Sequence, residues 1–190
     1  MLNKYRKTKI TLISLLSMII LLVAFVFWLR SLIPANANPK DLTISKPQDL
    51  VYLSQGVKEH RGKILAVVTS IDIMGTSGKD TGYELTELAR AYYVFKANGF
   101  EVDIASPRGG KVEADKFDTS TAYNAKVLAD KHIMAKLTDT LVISELVAED
   151  YAGIFIVGGK GAMFDLPKDG ALQTLIADIY QQQGTVAAVC

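Results

Sequence analysis

Cysteine is almost missing from this chain: Cys190 is the only one in 190 residues. That excludes an internal disulfide framework and every CxxC metal or redox motif. Histidine is nearly as scarce. His60 and His132 have no partner at metal-ligand spacing, so both read as surface side chains and no metal site is expected. An excess of either charge is lacking too: 21 basic against 20 acidic side chains leave a formal net charge of +1. Such a balance provides no field for drawing in nucleic acid. Internal repeats and low-complexity tracts are absent. No glycine loop has the phosphate-loop spacing that ends in Gly-Lys-Ser/Thr, so no nucleotide, and no other cofactor, is expected.

What the sequence does possess is one long apolar run. Residues 10–29 read ITLISLLSMIILLVAFVFWL, without a charge. About 20 residues rising 1.5 Å each cross the ~30 Å hydrocarbon layer of a bilayer. Lys4, Arg6, Lys7 and Lys9 precede the run and only Arg30 closely follows. The positive-inside rule then puts residues 1–9 in the cytoplasm as a basic tail and the chain beyond the anchor outside it. The expectation is a single transmembrane helix over 10–32, a lipid-bilayer partner and an extracytoplasmic domain. A cleaved signal peptide is the competing reading, because Ala35-Asn36-Ala37 resembles a cleavage site. Against it, the run exceeds the usual apolar core of a signal peptide, and Trp28 and Arg30 crowd the site.

Residues 33–62 read as a linker, rich in Pro, Asn, Ala and Lys at first, with a short helix expected within 48–61. From residue 63 the pattern alternates. Ile64–Thr69 is a continuous apolar run suited to a strand covered on both faces. Gly82–Asn98 follows with Leu85, Leu88, Ala89, Tyr92 and Phe95 at helical spacing, and Gly99 stands at its end. Phe100–Ala105 is the next strand, 124–137 a helix, Ile154–Val157 a strand, Asp169–Gln183 a helix and Thr185–Val189 the last strand. Alternating apolar strands and amphipathic helices predict an α/β fold of flavodoxin-like type, with a parallel sheet and helices on both faces.

Ligands of such sheets bind outside the carboxyl ends of the strands. Three features fall there: the loop after Thr69, the Gly158-Gly159-Lys160-Gly161 turn and Cys190. A thiol at a strand tip is a candidate nucleophile; a buried core cysteine is the plainer alternative. Glu87, near the start of its helix, is a candidate proton-transfer partner, or a solvated first-turn glutamate favoured by the helix dipole. Gly158 and Gly159 can turn backbone N–H groups toward a developing oxyanion, or simply connect a strand to a helix.

The combination resembles the ThiJ/PfpI superfamily, within the class I glutamine-amidotransferase-like fold. The carrying residues are Lys63-Ile64-Leu65, Thr81 to Leu88, Tyr92 to Phe95, Gly99 to Gly110, Met163-Phe164-Asp165-Leu166-Pro167 and Val186 to Cys190. The similarity runs from about residue 63 to the end and is greatest to the glyoxalase III and heat-shock chaperone branch. It implies Cys190 as nucleophile, Glu87 as the glutamate beside the thiol with Glu84 second, and Gly158-Gly159 as the oxyanion turn. It also implies a small 2-oxoaldehyde substrate such as methylglyoxal and a possible homodimer. Lys160 stands where the branch usually has histidine, and the family's histidine after the cysteine has no counterpart. The expectation is therefore a truncated domain, incomplete at its C-terminus and inactive alone. An amidase or peptidase-like hydrolase, a holdase chaperone and a redox sensor built on Cys190 are alternatives on the same scaffold.

Overall fold

A computed structural model describes residues 2–31, 55–56 and 59–190, with side chains in the first segment described from Leu15 onward. The Ala35-Asn36-Ala37 site and most of the expected linker lie outside those residues, as does most of the span given to the short helix. The chain divides into two compact units, Met1–Leu42 and Thr43–Cys190.

The first unit is represented by α1 (Leu2–Ser31), 30 residues of uninterrupted helix. From Leu15 to Leu29 its large apolar side chains are exposed, among them Leu21, Phe27 and Trp28. Among the described residues, no helix is long and apolar enough to cross a membrane.

The second unit holds the α/β fold. Its strands are β1 (Lys63–Val67), β2 (Glu101–Ser106), β3 (Leu141–Val142), β4 (Gly153–Ile156) and β5 (Thr185–Ala188). They form one parallel sheet in the order β3-β2-β1-β4-β5. The helices are α2 (Leu85–Ala97), α3 (Ala122–Ala129), α4 (Lys131–Thr138), α5 (Ala162–Asp165) and α6 (Gly170–Gln181).

The two-residue alternation of the strands sorts the core into two layers. Ile64, Ala66 and Val68, with Val102, Ile104, Phe155 and Val157, pack against α2, α3 and α4. Leu65 and Val67, with Ala105 and Ile154, pack on the other face against Leu172, Leu175 and Ile179 of α6. Both faces of the sheet are therefore covered by helices, which is why β1 reads as an unbroken apolar run.

Four local departures from the sequence pattern have physical causes. Helix α2 starts at Leu85 rather than Gly82: Tyr83 first bridges to Ala114 in parallel fashion, and Glu84 then caps the helix, accepting from the Glu87 N–H at 2.7 Å. The helix expected over 124–137 is two helices. Asp130 ends α3 and caps α4, its carboxylate accepting from the His132 N–H at 3.0 Å. Strand β3 has only two residues, too short to leave a periodic signal. Helix α5 is a single turn directly after the glycine turn, equally short for periodicity.

Strand β5 lies at the sheet edge. Val186 and Val189 are 38% and 40% exposed. Thr185 N–H and Val189 N–H donate inward to Ala152 and Ile156 carbonyls. By the alternation of a parallel ladder, the backbone groups of Val186 and Ala188 then face outward.

Candidate active site

The carboxyl ends of β1, β4 and β5 meet the start of α2. Beyond β4, Gly158 is the point of contact. Its N–H donates to Glu87 Oε2 at 2.8 Å and its carbonyl accepts from the Glu84 N–H at 3.0 Å. A Cβ placed on Gly158 would lie 2.8 Å from Glu87 Oε2, 2.8 Å from Cys190 Cα and 2.7 Å from the Val189 carbonyl. The structure thus brings Glu87, Gly158 and Cys190 to one place, although 71 residues separate Glu87 from Gly158. Only glycine fits there, because two of the three atoms it would meet are backbone. The Cys190 side chain is exposed and unbonded to sulfur.

Glu87 is half-buried on the first turn of α2. Burial raises its pKa above the ordinary carboxylate value, the Gly158 N–H lowers it and the neighbouring Glu84 raises it, for a net upward shift. A carboxyl that holds its proton more firmly than usual is suited to taking a proton and returning it. Glu84 has a different task. Its side chain caps α2, and its backbone N–H holds the glycine turn.

Gly159 sits one residue farther, at φ +111°, where a side chain is strained. A Cβ on it would lie 2.6 Å from the Gly82 carbonyl and 2.7 Å from the Glu84 nitrogen, so it packs on the segment before α2 rather than on Cys190. The Gly158 N–H, read from sequence as an oxyanion donor, is engaged by Glu87 in this state. Lys160 extends outward and pairs with Asp115 at 3.5 Å.

Sequence reasoning passed over three residues of this region. Asp115 is a charge partner for the turn through Lys160, and no spacing along the chain links the two. Tyr83, fully buried, packs beneath the turn; burial, with Glu113 nearby, pushes its phenol upward. Asp165 accepts from Thr69 Oγ1 at 2.7 Å, from the Ser70 N–H at 2.8 Å and from the Leu166 N–H at 2.8 Å. The Met163–Pro167 segment carried family resemblance, but nothing in it disclosed these partners. Among the described residues no group of three His, Cys, Asp or Glu side chains could hold a metal ion.

The sequence profile of the DJ-1/PfpI family matches residues 79–190. Glutathione-independent glyoxalase hsp3102 of Schizosaccharomyces pombe is 36% identical over 118 residues, covering 60% of this chain and 49% of that protein. Glutathione-independent glyoxalase hsp3101 of the same yeast is 33% identical over 144 residues, covering 68% and 55%. The crystal structure of glyoxalase III from Candida albicans superposes with a TM-score of 0.60 at 28% identity, covering 70% of this chain and 58% of that one. The chain spans about half the length of the curated relatives it matches.

Proposed function

This chain belongs to the DJ-1/PfpI family, and from that premise we propose that its site performs the chemistry of a glutathione-independent glyoxalase on small 2-oxoaldehydes such as methylglyoxal. The observation that carries the reading is the meeting of Glu87 Oε2 and Cys190 Cα across Gly158. Cys190 sulfur adds to the aldehyde carbon, forming a carbon–sulfur bond while the carbonyl electron pair moves onto oxygen. The thiol proton passes to the Glu87 carboxylate, which returns a proton to the oxygen, so the product is a neutral hemithioacetal. The Gly158 N–H, once it leaves Glu87, donates to the oxygen while it is negative. Glu87 then takes the proton from the hemithioacetal carbon and returns it to the adjacent ketone carbon through an enediol, which leaves a thioester on Cys190. Water adds to that thioester, the carbon–sulfur bond breaks, and a 2-hydroxy acid and the free thiol result.

The test is methylglyoxal loss without glutathione, followed for the wild-type chain, Cys190→Ser and Glu87→Gln. The meeting of Glu87 and Cys190 at Gly158 argues for activity in place of the inactivity expected from sequence. The expected outcome is therefore consumption by the wild type, none above background for Cys190→Ser and at least about a hundredfold loss for Glu87→Gln. Equal rates for wild type and Cys190→Ser would remove the enzymatic reading. Holdase activity surviving the same substitution would favour a chaperone instead.

We further propose that residues 10–32 anchor the chain in a bilayer with the α/β domain on the extracytoplasmic side. Its support is the charge-free segment 10–29 behind four basic residues, on a helical backbone continuous to Ser31. The described side chains of that helix begin at Leu15, so its described part is by itself too short to cross.

A further inference from the structure

In the strand order β3-β2-β1-β4-β5, the chain leaves β1 toward one edge and returns through β4 toward the other. The reversal lies between β1 and β4, where open α/β sheets present a crevice for ligands. Here a carboxylate crosses it. Asp165, at the end of α5, uses both oxygens on the loop that leaves β1: Oδ1 accepts from Thr69 Oγ1 and Oδ2 from the Ser70 N–H. Thr69 is 1% exposed, and its hydroxyl oxygen also accepts from the Ile71 N–H at 3.0 Å.

The same strap closes on the glycine turn. A Cβ on Gly161 would lie 2.9 Å from Thr69 Cγ2 and 3.0 Å from the Ile71 and Gly82 carbonyls. The Gly161 N–H itself donates to the Gly82 carbonyl at 3.3 Å. Residues 158–165 are therefore pinned at both ends: by Glu84 and Glu87 at Gly158, and by Thr69 and Ser70 at Asp165. Moving the second anchor shifts a short, tightly packed turn whose first residue holds the carboxylate beside Cys190.

We propose that Asp165 is a positioning residue: through Thr69 and Ser70 it sets the glycine turn so that the Gly158 N–H meets Glu87. The inference rests on Glu87 being the group that serves Cys190, yet its readouts require no turnover. A carboxylate in this crevice also repels phosphate-bearing ligands, which agrees with the missing phosphate-loop spacing.

The test compares wild type with Asp165→Asn, Thr69→Val and Thr69→Ser by amide exchange and by NMR titration of the Glu87 carboxyl. In Asp165→Asn and Thr69→Val, Gly158 amide exchange should rise about tenfold while amides inside β2 stay unchanged. The Glu87 titration should move upward, because the N–H that favours its ionised form is withdrawn. Thr69→Ser keeps the hydroxyl and should restore both. If Gly158 exchange and the Glu87 titration match wild type in Thr69→Val, the proposal is overturned and the strap only adds stability. Thr69→Val removes one hydroxyl, the donor to Asp165 and the acceptor of the Ile71 N–H, and leaves Asp165 its Ser70 and Leu166 partners, so it decides the matter even where Asp165→Asn fails to fold. Absence of the methylglyoxal reaction in the wild type, with Gly158 exchange and the Glu87 titration shifting in the variants as expected, would instead count against the glyoxalase reading alone.

Discussion

At the scale of single residues, Gly158 leaves no room for a side chain. A methyl group there meets two backbone atoms and a carboxylate within 2.8 Å. Gly158→Ala should cost about 1–3 kcal/mol, the usual range for overpacking, measured by urea unfolding. An unchanged midpoint would mean that the turn and Cys190 are not in contact. Two carboxylates give pH dependence of opposite sign. Glu87 is shifted up, so the folded state retains its proton where the unfolded chain has lost it. Its contribution to stability therefore falls as pH rises from the ordinary glutamate value through the raised one. Glu87→Gln should lose that decline and gain relative to wild type toward neutral pH. Asp103 behaves oppositely. Burial alone would raise it, but the hydrogen bond and charge of Lys136, joined by Lys63, leave it below the ordinary aspartate value. Its stabilisation is present above that ordinary value and is lost as pH falls through the lowered one. Chemical denaturation of Asp103→Asn across acidic pH should show a flatter profile than wild type.

At the scale of elements, capping and cross-linking side chains determine where helices stop. Asp169 caps α6, accepting from the Leu172 N–H at 2.8 Å. Asp169→Ala should cost about 1 kcal/mol in thermal or urea unfolding. Lys136 ties α4 to β2, donating to the Val102 carbonyl at 2.6 Å and to Asp103 at 2.8 Å. The loss in Lys136→Met should exceed that of an exposed pair, about 0–1 kcal/mol, because a shielded carbonyl and carboxylate each lose a donor. The long elements were legible in advance: α2, α6, β1, β2 and β4 each carry enough residues for their period to emerge. Helix α5 and strand β3 did not, since four and two residues complete at most one turn or one alternation. The break between α3 and α4 was legible in principle at Asp130, whose short acceptor side chain competes for the backbone N–H groups that follow it.

At the scale of the whole molecule, the two units carry different expectations. If residues 10–32 cross a bilayer, the chain should stay with membranes through an alkaline carbonate wash. Replacing Ile20 and Leu21 by lysine should release it into the supernatant, since a charge near the helix centre costs about 2.5–3.5 kcal/mol. Release of the unaltered chain would end the anchoring proposal. Within the domain, β5 is an edge strand of the sheet formed by the described residues, with Val186 and Val189 partly exposed. Such an edge is a template for further pairing.

The sequence by itself determined the class of fold and the family, because those depend on local periodicity and on residue types in order. Only the tertiary structure decided what those residues touch. That the Gly158 N–H serves Glu87, that the Glu84 N–H holds the Gly158 carbonyl, and that Asp165 answers to Thr69 are contacts between segments far apart in the chain. Their geometry follows from strand order and from the packing of two helical layers on one sheet, and neither leaves a period in the sequence.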